Sequence, residues 1–329
     1  MKQLVGAIAE TAEQLQLAAA AIGGSITVDP RLILRRDPAL NLRPPGLWSP
    51  NRHCRMVAAQ GGWIAVNLAR EDDRHAVPAW TGCDLEADPW QAVIAHAADH
   101  SPRALLEQAS LLHLPVAIVG ETQERSLPAL RPAPSRQNRT PTAVDLSALW
   151  AGPLCGALLA EAGVDVTRIE SASRPDPTLL SAPDLDRRLN GQKRKTSLAL
   201  DDPQLTELIA QSGILITSAR PHALAHHGLT EERLFTLNPD LIWVAVTAHG
   251  WHGEGAMRIG FGDDCAASGG LVSRMRGRPR FMGDALADPL TGLDAALAVM
   301  NALDKNEAGL IDMALAQSAT YYARKIGVR

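Results

Sequence analysis

The hydrophobic pattern of this chain changes period near its middle. Over residues 3–22, Leu4, Ile8, Leu15 and Ala19 lie near one stripe, which predicts an amphipathic helix ended by Gly23-Gly24. From Asp29 to Pro50, Pro and Arg crowd the chain and no period survives, so this stretch reads as an extended arm. Residues 54–59 and 63–68 are apolar runs on either side of Gln60-Gly61-Gly62, the pattern of a β-hairpin. Pro89 opens a helix to about His100, Ser101-Pro102 caps the next to about His113, and Pro115–Val119 is a short strand. An N-terminal helix and arm (1–44) and a small α+β domain (45–125) are thus expected. A linker follows at 126–141, where Pro, Arg and polar residues displace the apolar period.

Beyond the linker, strands and helices alternate. Strands are expected at Thr142–Leu146, Asp165–Glu170, Thr196–Leu200, Ile214–Thr217 and Leu241–Thr247, with helices at Pro153–Ala162, Pro203–Gln211 and Thr230–Leu237. That alternation predicts a Rossmann-like α/β domain, 142–329, built on a mostly parallel sheet. No G-x-G-x-x-G follows its first strand, so a conventional dinucleotide site lacks its fingerprint. Late in the domain, Leu293, Ala296, Leu297 and Met300 mark the buried face of one more helix, which starts near Asp288-Pro289.

Composition narrows the setting. The net charge of −4 over 329 residues gives no basic footprint for nucleic acid. No apolar run is long enough to span a membrane, and the N-terminus lacks the apolar core of a signal peptide. Cys54, Cys83, Cys155 and Cys265 are scattered without a C-x-x-C pair, as expected for free thiols in a cytoplasmic protein.

Candidate chemistry centres on Asp288. A carboxylate at a helix start is either a cap or a nucleophile held in the field of free N–H groups. Ligands gather at the carboxyl ends of parallel strands, which selects Ser147–Gly156, the basic loop Gly191–Lys195, Thr217–His222, and the Gly-rich stretch from Thr247 through Gly270. The basic loop is either a solvated surface or a polyphosphate clamp. His249 and His252 are possible acid–base groups. Asp263 and Asp264 are adjacent and point apart on most backbones, and His96 and His100 have no third ligand near them, so no metal is expected.

From about Thr142 to Tyr321 the chain resembles the family III CoA-transferases, the superfamily of formyl-CoA and carnitine CoA-transferases and α-methylacyl-CoA racemase. The resemblance rests on ordered motifs: Asp145-Leu146 with Ala151-Gly152-Pro153, Gly163–Glu170, Leu189-Asn190 with Lys195–Asp201, Arg220-Pro221 with Gly228-Leu229, Leu237–Ile242, Ala287–Gly292, and Leu310–Leu315. It implies that Asp288 is the nucleophile, attacking an acyl-CoA to give a mixed anhydride and then an aspartyl–CoA thioester, which a carboxylic acid resolves. N–H groups near Gly269-Gly270 or at the helix start are expected to hold the oxyanion. It also implies a homodimer, with acyl-CoA as substrate and no permanently bound cofactor.

The chain departs from the family in two ways. Its small domain comes first, as in a permuted chain. The positions expected to contact CoA are also altered: Trp150, Ser171, Ser218, Ala219 and His226 replace the usual residues, while Lys195 is kept. Two lost arginines remove charge-assisted contacts of about 1.5–3 kcal/mol each, which Lys193, Arg194 and Arg220 are candidates to replace. Phe261 stands where racemase relatives carry His, and a phenyl ring takes no proton. A 2-methylacyl-CoA racemase and a non-catalytic or hetero-oligomeric binding subunit are the alternative readings.

Overall fold

A computed structural model describes residues 1–123, 130–133, 141–171 and 175–328. The elements run α1 (Lys2–Ala21), β1 (Cys54–Ala59), β2 (Gly62–Asn67), α2 (Glu71–His75), α3 (Val77–Thr81), α4 (Pro89–Ala98), α5 (Pro102–Leu111), β3 (Val116–Ile118) and β4 (Arg131–Pro132). Then follow β5 (Thr142–Asp145), α6 (Ala151–Glu161), β6 (Asp165–Glu170), α7 (Thr178–Ser181), α8 (Pro183–Asn190), β7 (Arg194–Ser197), α9 (Pro203–Gln211), β8 (Ile214–Thr217), α10 (Pro221–His226) and α11 (Glu231–Leu237). Last come β9 (Ile242–Thr247), α12 (Gly262–Ser268), β10 (Ser273–Met275), β11 (Arg278–Arg280), α13 (Ala287–Asp304), β12 (Glu307–Ala314) and α14 (Leu315–Lys325).

The large sheet has seven strands in the order β4-β12-β9-β8-β5-β6-β7. All neighbours are parallel except β4, which pairs antiparallel with β12. Strands β8 and β9 are buried along their full length, as a sheet covered by helices on both faces requires. One face packs with α1, α6, α13 and α14 around Leu4, Ile8, Leu159, Leu290 and Met300; the other buries Leu205, Ile209, Leu224, Leu234 and Trp243.

The small sheet is antiparallel, β1-β2-β3, with its own core of Ile64, Val66, Trp80, Val93 and Leu105. Its opposite face meets α12, where Cys54, Met56 and Ala65 pack on Ala267, Val272 and Phe281. Hydrogen bonds from Gly120 N–H to Ala267 O (2.9 Å) and Thr122 N–H to Ser268 O (3.0 Å) hold it there.

One stretch differs from the sequence pattern. Within the expected linker, Arg131-Pro132 pairs with Glu307-Ala308 as the outer edge of the large sheet. Proline is tolerated there because one side of an edge strand needs no donor. The rest of that linker, 124–129 and 134–140, lies outside the described residues. The first helix buries its stripe in the core of the large sheet: Tyr322 Oη donates to Thr11 Oγ1 at 3.1 Å, and Lys325 pairs with Glu10 at 3.0 Å.

Candidate active site

The parallel strands all end on one rim. Strands β5 and β8 are neighbours from which the sheet is built outward in both directions, so the crevice beyond their ends is the topological switch point. Their loops are joined there, because Ala148 N–H donates to Ser218 Oγ at 2.9 Å. Trp150 closes the β5 loop, 2% exposed, with no partner for its indole N–H among the described residues.

Asp288 reaches this rim on the first turn of α13. The N-cap of that helix is Leu286 and no side chain caps it, so the capping role allowed for Asp288 is not the one it has. One turn later Gly292 touches the start of α6: a Cβ there would stand 2.6 Å from Ala151 O and 2.8 Å from Leu154 Cβ. Contact this close brings the beginnings of α13 and α6 together, and Asp288 with them. Gly262, the first residue of α12, lies directly against the carboxylate; a Cβ on it would be 2.5 Å from Asp288 Oδ2.

A buried polar cluster surrounds this turn. Asp263 Oδ1 accepts the N–H of Ala285 at 2.7 Å, and Ala285 has a left-handed φ of +45°. Asn51 Nδ2 donates to Asp263 Oδ2 and to Asp284 Oδ1, both at 2.8 Å. Arg36 Nε lies 2.8 Å from Asp284 Oδ2 in an ion pair whose N–H is not aimed for a hydrogen bond. The same guanidinium sits 5.3 Å from the centroid of the Trp150 ring.

Desolvation dominates the electrostatics. Burial pushes the Asp288 carboxyl up to about 7; Arg36 opposes the shift, and Asp263 and Asp284 add to it. Asp263 and Asp284 are raised for the same first reason, burial. Asp264 is pushed up to about 8 by burial, although Asn67 Nδ2 (2.9 Å) and Phe261 N–H (3.0 Å) donate to it. His249 lies well below the ordinary imidazole range because it is desolvated, so it is neutral, and its Nε2 has no partner among the described residues. His252 is tied to Glu231 at 3.0 Å.

His249, Asp264 and Cys265 bring ligand-type atoms within 4.8 Å of one another. The Asp264 carboxylate is already held by Asn67 and Phe261, and the positive charge of Arg258 acts on both His249 and Cys265. That environment opposes a cation.

The positions chosen from sequence divide into two groups. Trp150, Ser171, Ser218, Ala219 and Arg220 follow β5, β6 and β8 directly and share the rim. Phe261 N-caps α12 beside Gly262, with the Arg70 guanidinium 5.6 Å from its ring centroid. Lys195 lies within β7, 3.5 Å from Glu170. His226 is exposed at the far end of α10, about 9 Å along the axis from the rim.

Two expectations need correction. Lys193 is no phosphate ligand: its side chain is 0% exposed, and its ammonium is bound to Asp145 (2.7 Å), Pro153 O (2.8 Å) and Asn190 Oδ1 (3.0 Å). Those three bonds use all its donors. The N–H groups of Gly269 and Gly270 likewise close the end of α12, on Cys265 O (2.9 Å) and Ala267 O (3.0 Å), so they are not oxyanion donors. Of the other cations, Arg220 donates to Met257 O (3.2 Å) and lies 3.4 Å from His113 Nδ1, and Arg194 pairs with Asp165. Sequence reasoning missed Arg36, Asn51 and Asp284, which carry no local signal. Gly262 lay within the Gly-rich stretch it selected, but as backbone approaching a ligand and not as the contact on Asp288.

The model of the family described as CoA-transferase family III matches residues 142–326. The chain is 34% identical over 179 residues to the succinyl-CoA–L-malate CoA-transferase beta subunit of Chloroflexus aurantiacus, covering 50% of this chain and 44% of that one. It is 29% identical over 174 residues to a formyl-CoA:oxalate CoA-transferase of Escherichia coli, covering 49% and 42%. The crystal structure of a CAIB/BAIF family protein from Brucella suis superposes with a TM-score of 0.51 at 26% identity, over 56% of this chain and 54% of that one. The chain spans about half the length of the curated relatives it matches.

Proposed function

The chain belongs to CoA-transferase family III, and we propose that it transfers CoA from an acyl-CoA to a carboxylic acid with Asp288 as the nucleophile. The observation that carries this reading is the state of Asp288: a half-buried carboxyl group on the strand rim, free of any capping bond and pressed against Gly262. A desolvated carboxylate gives up little hydration when it attacks, and its raised pKa goes with stronger nucleophilicity.

The proposed steps balance as follows. An Asp288 oxygen adds to the thioester carbonyl, the C–S bond breaks, and CoA leaves as thiolate with a mixed anhydride on Asp288. The thiolate adds to the Asp288 acyl carbon and expels the donor's carboxylate, leaving an Asp288–CoA thioester. The acceptor carboxylate repeats the exchange, and the thiolate departs on the acceptor's acyl group, which restores Asp288. The relatives' names pair a CoA thioester with an acid, or two acids with one another, and the same substrate class is proposed for this chain. We further propose a homodimer in a reducing, cytoplasmic setting, which accords with the four free thiols.

Mass spectrometry after incubation with a panel of acyl-CoAs tests the reading. A CoA-derived adduct on the Asp288 peptide is expected in the native chain and absent from folded Asp288→Ala. An adduct that persists in that variant, or none on the native chain with any thioester, refutes it.

A second reading is favoured by the cations. Lys193 is engaged inside the protein and Arg220 is tied at the surface to Met257 O, leaving Arg194 and Lys195 as the exposed charges of the basic loop. A hetero-oligomeric subunit that depends on a partner's charges for the CoA phosphates fits that loss. Calorimetry separates the two: CoA binding by the isolated chain supports the transferase, and no binding by folded chain supports the subunit.

A further inference from the structure

We propose that Arg36 is a positioning residue for the Asp288 nucleophile, so that the arm between α1 and β1, outside the family-matched segment, is a working part of the active site. The inference rests on the reading of Asp288 above. Its geometry runs through one chain of contacts. Arg36 neutralises Asp284 at 2.8 Å and lies over Trp150. Asn51 bridges Asp284 to Asp263. Asp263 in turn holds the Ala285 N–H, and with it the left-handed turn three residues before Asp288. The orientation of Asn51 is fixed, because its Oδ1 accepts the His53 backbone N–H (2.9 Å) and the Ser49 hydroxyl (2.8 Å). A backbone N–H only donates, so the amide nitrogen must face the two carboxylates.

Charge explains why a cation is needed there. Asp263 and Cys265 of α12 and Asp284 of the turn bring negative or ionisable groups toward Asp288. His53 is half desolvated, and Arg74 and Arg36 push it further toward its neutral form, so it adds little positive charge. Arg36 is the group that favours the anionic form of Asp288. Without it, like charges in a desolvated pocket hold the nucleophile protonated.

The test is a titration of Asp288 itself. The full chain is labelled with 13C at aspartate carboxyls, and Asp288→Asn identifies the resonance. Arg36→Gln is expected to raise the Asp288 midpoint by roughly one unit or more, and Arg36→Lys to restore part of the shift. Asp284→Asn, which removes a like charge and keeps Arg36, is expected to move it the other way. In transfer assays Arg36→Gln loses about fivefold near pH 7 for a one-unit shift and recovers toward pH 9, whereas a purely structural role depresses the rate at every pH. An unmoved midpoint in folded Arg36→Gln, or a downward one, overturns the inference. If Arg36→Gln does not fold, an unmoved midpoint in Asp284→Asn does so. Midpoints that move as expected in a chain that forms no adduct sustain the role of Arg36 and refute the transferase reading alone.

Discussion

Gly262→Ala isolates the geometry of Asp288, the proposed nucleophile. The substitution adds one methyl group and no charge, in a helix-forming residue with an ordinary φ. Yet the new Cβ would stand 2.5 Å from Asp288 Oδ2, 2.6 Å from Ala285 O and 2.8 Å from Ala285 Cβ. All three lie inside the 3.0 Å below which real Cβ atoms essentially never approach another heavy atom. The Asp288 side chain can rotate away, but Ala285 cannot retreat cheaply, because Asp263 holds its N–H at 2.7 Å. The relief must therefore come from a shift of several tenths of an ångström in the turn, or from a new rotamer of Asp288. A displacement approaching 1 Å at a reacting group costs on the order of 10²-fold in rate. Overpacking of this kind costs about 1–3 kcal/mol in stability. Stopped-flow formation of the aspartyl–CoA adduct, together with urea unfolding, reads both. The expected outcome is a folded chain with CoA affinity within a few-fold of native and adduct formation slowed about a hundredfold. Native adduct kinetics in Gly262→Ala would refute the placement of Asp288 against α12.

Two further predictions concern stability. Lys193→Met leaves Asp145 buried without its cation and is expected to cost about 3–5 kcal/mol by urea unfolding. The double variant Lys193→Met, Asp145→Leu is expected to cost less, and equal costs would contradict an ion pair as the source. The second is a pH effect. An unfolded Asp264 releases its proton near 4, whereas the folded carboxyl, pushed up to about 8, keeps it. Between those values the native state binds more protons, so this group makes stability fall as pH rises from about 4 to about 8. Asp264→Asn should flatten that slope in thermal melts, and an unchanged slope would show that the group ionises normally.

What could be read from the sequence was what local chemistry fixes. Asp202-Pro203 and Asp88-Pro89 announce their helices, and both aspartates accept first-turn N–H bonds, from Gln204 and Gln91. The alternating segments after residue 142 gave the parallel sheet, because buried strands and amphipathic helices differ in period. The hairpin around Gly61 was equally plain, with Gly61 at φ +79°. The edge strand Arg131-Pro132 was not, since two residues carry no period. Lys193 misled because a basic run looks uniformly solvated. In the fold the chain turns into β7 there, sending Lys193 inward beneath Gly156 while Arg194 and Lys195 stay outside. The motif singled out Asp288 as the candidate, and the fold places it on the rim. Its partners were not legible, since Asn51 and Asp284 are 233 residues apart and neither has a local pattern.

The order of the chain makes the arm's place at the site a consequence of topology. Helix α1 is built into the core of the large sheet beside α13. Strand β1, the next regular element, belongs to the small sheet, which sits on α12. Asp288 lies where the beginnings of α12 and α13 meet, against Gly262. The segment joining α1 to β1 passes from one body to the other, and on the way its Arg36 and Asn51 contact Asp284 and Asp263 beside that meeting point. Because this crossing depends on the small sheet preceding the large one, the arm's contribution is tied to the chain order itself. A chain of the reverse order would have to bring a cation to its buried carboxylates from another segment, or leave them protonated.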